Sequence, residues 1–216
     1  MSRVLVAIIL VLLLASCAPS FNTTGPIGSG NLVSRSFDLR GFSRIEADSA
    51  AQVEVTRGEA FSVEVEVDDN LESRLDVAVV GSTLRIRLKS GPYRNPTLRA
   101  HVTMPELNGA NLDGGSALRA ELAGEDLAIN LNGGTRATLT GTAGRVTIDV
   151  DGASKALLGA LEARDVKVSA NGGARVEISA SGSVTGQANG GATVVVSGSP
   201  SSVNVTTDGG ATVTTK

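Results

Sequence analysis

Six times between Leu112 and Lys216 the chain writes an Asp or Asn followed by a glycine and a second small residue. The copies are Asp113-Gly-Gly, Asn132-Gly-Gly, Asp151-Gly-Ala, Asn171-Gly-Gly, Asn189-Gly-Gly and Asp208-Gly-Gly, starting 19, 19, 20, 18 and 19 residues apart. A period this regular restricts the chain to a stack of similar units. After each corner, small or apolar residues alternate with polar ones, as in Thr135, Ala137, Leu139 and Ala174, Val176, Ile178. A second alternating run closes each copy, as in Val146, Ile148, Val150 and Val166, Val168, Ala170. A period of two within the runs and of about 19 between them predicts an all-β parallel solenoid.

The punctuation agrees. Asn-Gly and Asp-Gly suit a tight corner that recurs in every coil, because they tolerate positive φ. No proline lies between Pro105 and Pro200, as a continuous backbone ladder requires. No aromatic follows Tyr93, which predicts a thin aliphatic interior. Down the stack the corner residues Asp113, Asn132, Asp151, Asn171, Asn189 and Asp208 form a structural turn ladder with no two Asp adjacent. Coils about 4.8 Å apart would set adjacent carboxylates at a cost of roughly 0.9 kcal/mol even in water. The end of the array after Thr214 predicts an open edge and weak self-association through it.

The first 16 residues read as a signal peptide: Arg3, then the apolar run Val4–Leu14, then Ala15 and Ser16. Leu14-Ala15-Ser16-Cys17 resembles the lipobox of bacterial lipoproteins, which implies acylation of Cys17, the only cysteine, and attachment to a membrane through that lipid. Residues 17–30, rich in Gly, Ser, Thr and Pro, read as a flexible tether. One domain, 31–216, follows, with a less regular β half at 31–107 that caps the array at 108–216. Its strands are marked by Val53 and Val55, by Val63, Val65 and Val67, by Leu75 to Val79, by Leu84 to Leu88, and by Leu98 to Met104. Arg57-Gly58-Glu59 and Val80-Gly81-Ser82 read as hairpin turns, and Asp68 to Leu75 as one helical turn. Outward Glu64 and Glu66 are expected to face Arg85, Arg87 and Lys89 if those strands pair. Asp48-Ser-Ala-Ala-Gln-Val repeats the corner-plus-strand pattern, so a first coil is expected to begin well before Leu112.

In this setting the Gly28-Ser-Gly-Asn segment, Gly41-Phe42 with Ile45, Val53-Glu-Val-Thr-Arg-Gly, Asp68-Asp-Asn-Leu, Val102-Thr-Met-Pro-Glu-Leu107 and the Asp/Asn-Gly-Gly repeats resemble the GIN domain, described as the head of auto-transporter adhesins. The resemblance covers roughly residues 28 to 216. It implies a right-handed parallel β-helix on an extracytoplasmic lipoprotein, with a role in adhesion or envelope organisation. It brings no catalytic residues with it.

The remaining chemistry is sparse. A formal charge of -3 argues against nucleic acid. His101 is the only histidine, no other cysteine accompanies Cys17, and no Gly-x-Ser-x-Gly elbow occurs, so neither a zinc site nor a nucleophilic triad is expected. The corners lack the third Gly and repeated Asp of calcium-binding β-rolls, so no metal or other cofactor is expected. Asp149, Asp151 and Lys155 lie close in sequence, as in β-helical polysaccharide enzymes, but no inserted loops build a cleft, and an enzyme is disfavoured. One row stands out: Arg136, Lys155 and Arg175 each come four residues after a corner and should stack as a cationic strip. These features favour a non-catalytic, lipid-bound envelope protein, on the outer membrane, whose partner is an anionic polymer or a protein. A periplasmic structural or stress-related scaffold is the alternative.

Overall fold

The computed structural model describes residues 25–216. The expected signal peptide, Cys17 and the first part of the expected tether lie outside the described residues.

The cap and first coil use eight strands: β1 (Leu32–Phe37), β2 (Arg44–Ala47), β3 (Gln52–Arg57), β4 (Ser62–Asp68), β5 (Leu75–Val80), β6 (Thr83–Leu88), β7 (Leu98–Met104) and β8 (Gly109–Leu112). Three long strands carry the middle of the array, β9 (Ala117–Leu131), β10 (Arg136–Val150) and β11 (Lys155–Ala170). The last coils divide into β12 (Arg175–Ala180), β13 (Ser183–Ala188), β14 (Thr193–Gly198), β15 (Ser202–Thr207) and β16 (Thr212–Thr215). The result is a β-solenoid of about 6 turns.

Each coil has two walls. One follows the order β1-β4-β7-β3-β9-β10-β11-β12-β14-β16. The other runs through β5, β6, β2 and β8 to the second halves of β9, β10 and β11, then β13 and β15. The period-two alternation sends one set of side chains between the walls, where Leu118, Ala137, Ala156, Val176 and Val194 stack in register. On the other wall Ile129, Ile148 and Val168 do the same. Burying each large side chain contributes about 1.5–3 kcal/mol. The coil with 20 residues takes up its extra residue as a bulge: Leu158 and Leu161 both point inward while Gly159 and Ala160 are exposed, and the register with β12 shifts there.

At the corners the glycine after each Asp or Asn takes the left-handed conformation, with φ of 60° at Gly114, 68° at Gly133 and 71° at Gly172. Rungs continue through the turn, with Asn132 N–H bonded to the Leu112 carbonyl and Asp151 N–H to the Leu131 carbonyl, both at 2.9 Å. Behind each corner sits a small buried residue. In the early coils it is a hydroxyl: Ser116 Oγ accepts from Ala51 N–H at 3.1 Å, and Ser154 Oγ accepts from Thr135 N–H at 3.1 Å. In the later coils Ala174 and Ala192 take that place.

The first coil does begin before Leu112. β2 pairs in parallel with β8, and β3 with β9, so Asp48-Ser49-Ala50 is the corner below Asp113-Gly114-Gly115. The ladder from Asp113 to Asp208 keeps its order with no two Asp adjacent, but its extension by this first corner sets Asp48 directly below Asp113. Each carboxylate instead accepts from the next residue's own N–H, Asp48 from Ser49 and Asp113 from Gly114, which absorbs the charge locally.

The Val80-Gly81-Ser82 turn joins the antiparallel pair β5 and β6, and residues Asp69–Arg74 form a 3-10 helix, as expected. Arg57-Gly58-Glu59 is not a hairpin: β3 and β4 are separated by β7, which pairs with both. The expected pairing of Glu64 and Glu66 with Arg85, Arg87 and Lys89 is also overturned, because β4 and β6 lie on different walls. Glu66 meets Arg99 at 3.8 Å and Glu64 accepts from Ser34 Oγ at 2.6 Å, while Arg87 pairs with Asp76 at 2.9 Å. The last part of the expected tether belongs to the folded body. The buried Asp68 carboxylate accepts from Gly30 N–H and Thr97 N–H, both at 2.7 Å, and Asn70 Nδ2 donates to the Ile27 carbonyl at 2.8 Å.

Two outcomes follow. Ala50 holds φ of 59° where the next two corners place Gly115 and Gly134, at φ of 78° and 83°, and a side chain there costs about 1–2 kcal/mol, partly offset by the freer unfolded chain of a glycine variant. Ala50→Gly should therefore raise the melting temperature by a few degrees in a thermal scan, and a fall would contradict the assignment. The half-buried Asp165 carboxyl is drawn down to about 2 by hydrogen bonds from Ser183 N–H and Oγ and from Arg164. A depressed carboxyl contributes stability above its unfolded pKa, lost as pH falls toward the folded value. Asp165→Asn should flatten the fall in stability between about pH 4 and pH 2, as read from acid unfolding curves; an unchanged slope would contradict this.

Candidate binding surface

The outward positions of the first wall form rows, because parallel coils keep the same register. Arg136 is opposite Lys155, and Lys155 is opposite Arg175, so the three cations of the sequence row stand on three adjacent strands. The row continues as Thr193 and Thr212 above, and as Ala117 and Gln52 below. All three side chains are exposed. Arg175 is half neutralised, its guanidinium held by Glu177 two residues along at 2.7 and 2.9 Å. Among the described residues no carboxylate lies within 4 Å of the charged ends of Arg136 or Lys155. Chemically this is a flat cationic strip on a rigid sheet, suited to carboxylate or phosphate groups repeating along an extended partner.

The neighbouring row reads Glu54, Arg119, Thr138, Leu157, Glu177, Val195 and Thr214. His101 Nδ1 lies 3.4 Å from Glu54 Oε2, with both side chains more than half exposed. His101 therefore sits on a solvated surface with no second ligand.

The other sequence candidates do not converge. The corner residues form a line along one edge: Asn171 Nδ2 donates to Asp151 Oδ1 at 2.8 Å, Asn189 Nδ2 donates to Asn171 Oδ1 at 2.9 Å, and Asp208 accepts from Gly209 N–H at 2.7 Å. These bonds use the side chains within the stack. Among the described residues no group of three or more His, Cys, Asp or Glu is arranged to hold a metal. Asp149 and Lys155 project from strands on either side of the Asp151 corner, on different walls, so the three do not share a cleft.

One feature escaped the sequence reading. On the second wall Asn111, Asn130, Asp149, Ser169 and Gln187 form a polar row, with Asn130 Nδ2 donating to Asn111 Oδ1 at 2.7 Å. Aligning the second strand of each copy at the 19-residue period would have revealed it.

A family model described as "Putative auto-transporter adhesin, head GIN domain" matches residues 41–200. A comparison with curated proteins gives no match. Among solved structures, a putative adhesin from Bacteroides fragilis aligns with TM-score 0.73 and 20% identity, covering 88% of this chain and 99% of its own. A putative adhesin from Parabacteroides distasonis aligns with TM-score 0.55 and 16% identity, covering 89% and 100%. A putative lipid binding protein from the same organism aligns with TM-score 0.50 and 17% identity, covering 88% and 98%. At these identities the likeness is one of fold.

Three stacked cations repel one another by up to roughly 0.9 kcal/mol per neighbouring pair at low salt. Lys155→Gln should therefore stabilise the domain in low salt, with the gain shrinking as ionic strength rises. Chemical denaturation at two salt concentrations would show this, and a salt-independent difference would mean that the row carries no electrostatic strain.

Proposed function

The chain belongs to the family of auto-transporter adhesin head GIN domains, and from that premise we propose that it is a non-catalytic binding module displayed on the cell envelope. A lipid on Cys17 holds it to the membrane, most simply the outer membrane, and the first wall is the contact face. The observation that carries this reading is the in-register placement of Arg136, Lys155 and Arg175 on three adjacent strands. A rigid sheet repeating at about 4.8 Å holds three cations without the entropy cost of ordering a loop, so affinity is gained from preorganisation. The partner is an acidic polymer or the acidic edge of a protein. Among the described residues no aromatic lies in the array to stack on sugar rings, which disfavours a neutral glycan.

The test uses cells that make the wild-type chain, Cys17→Ser, or the triple variant Arg136→Ser, Lys155→Ser, Arg175→Ser, incubated with polygalacturonate-coated beads. Wild-type cells should retain beads, with retention falling as salt is raised. The triple variant should lose at least tenfold in retention at unchanged melting temperature. Cys17→Ser should move bead binding from the cells to the released protein. Retention that survives in the triple variant would remove the cationic face from the function. Retention absent from intact wild-type cells but present once the outer membrane is opened would favour the periplasmic scaffold.

A further inference from the structure

The first wall has a gap where the cap joins the array. β3 pairs with β9 only as far as Val55 opposite Ala120. Pairing below β9 resumes at Gly109 opposite Ala128, where Ala128 N–H donates to the Asn108 carbonyl at 3.0 Å. Between these points the chain leaves for the cap through Gly58 and returns through Pro105. Around residues 121–127, β9 therefore has a strand on its β10 side and none opposite.

The backbone there is aimed outward into the gap. Ala117 N–H donates to the Ala51 carbonyl on the cap side at 2.8 Å, and strand alternation along the inward Leu118, Ala120 and Leu122 turns the N–H and carbonyl of Glu121 the same way. On the opposite lip Gly58 N–H is bonded to Met104 on β7 at 3.0 Å, so the alternate residue Arg57 faces the gap. The groove between the lips encloses about 790 Å³, room for several residues of extended chain. Val55, Ala120 and Leu122 form its apolar floor.

Its rim is acidic. Glu54, Glu59, Glu106, Glu121 and Asp126 line this groove and the recess that continues it, against only Arg57 and Arg119. Asp126 is met by Arg145 at 3.6 Å and Glu54 by His101 at 3.4 Å, while Glu59, Glu106 and Glu121 have no ion-pair partner among the described residues.

We propose that this gap is a strand-addition site for an extended polypeptide segment of a partner protein, bearing Lys or Arg at alternate positions. The incoming backbone completes the ladder along residues 121–127, and its cations meet the acidic rim. A second copy fits poorly, because the edge strands Leu75–Val80, Ser202–Thr207 and Thr212–Thr215 contain no basic residue, and the single one on the edge strand Leu32–Phe37, Arg35, is already paired with Glu72. The site is separate from the cationic row and stands whether or not that row binds.

The test is titration of the isotopically labelled full chain with an acetylated octapeptide of alternating Lys and Thr. Its Glu-Thr counterpart and a Lys-Thr peptide N-methylated at alternate residues serve as controls. The Lys-Thr peptide should shift the amide resonances of Arg57 and residues 121–127, and neither control should. Glu106→Gln combined with Glu121→Gln, both on the surface, should weaken binding about tenfold without changing the melting temperature. Four results would each overturn the proposal: no shifts at millimolar peptide, shifts centred on residues 202–215, equal response to the Glu-Thr peptide, or concentration-dependent shifts at 121–127 without peptide, which would assign the gap to a second copy.

Discussion

Each coil must reverse direction at a corner without losing a rung of the ladder to the coils above and below. Three residues do this, with the middle one in the left-handed conformation so that the backbone N–H groups keep their partners, a place that glycine takes in every corner of the array and Ser49 in the first. Everything else follows from that corner recurring at nearly constant spacing. It fixes the register, the register stacks like on like, and stacking turns an alternating sequence into a continuous aliphatic interior from the cap to Val196. The 20-residue coil keeps its corner and bulges elsewhere, at Gly159 and Ala160, which shows which part of the coil is free to vary.

The array was legible because its signals are local and repeated. The corners, the alternation and the inward residues all lie within one period, and the structure puts Thr135, Ala137 and Leu139 or Ala174, Val176 and Ile178 inside as their spacing requires. The cap was less legible because its pairings are not local. Glu64 and Glu66 matched Arg85 and Arg87 in charge, but charge complementarity does not say which wall a strand joins, and β7 intervenes where a hairpin was expected. The Asp48 corner was recognisable by pattern even though Ser49 and Ala50 stand where glycine would be easier. Its consequence, two adjacent aspartates, emerged only when the coil was set in the stack.

The candidate surface divides in the same way. Arg136, Lys155 and Arg175 could be placed in one row from the period alone, whereas the role of Glu177 in holding Arg175 depends on side-chain geometry. The gap beside β9 was not visible at all. It arises where a regular coil is interrupted by the excursion into the cap, so no single stretch of sequence encodes it. Irregularity placed against a rigid repeat is where such a fold departs from pure scaffolding.

The segment at Ile27–Asn31 is gripped by three consecutive side chains, Asp68, Asp69 and Asn70, with Ser29 Oγ donating to Asp69 at 2.6 Å and Gly30 N–H to Asp68 at 2.7 Å. The grip lies outside the repeat, on the cap beside β1. A tensile load entering from the N-terminal side would meet the bridge between Ile27 and Arg94 and this clasp first and the β1–β4 seam next, before it reached any coil of the array. The repeating walls can then keep their shape, and the face they present, while the cap yields.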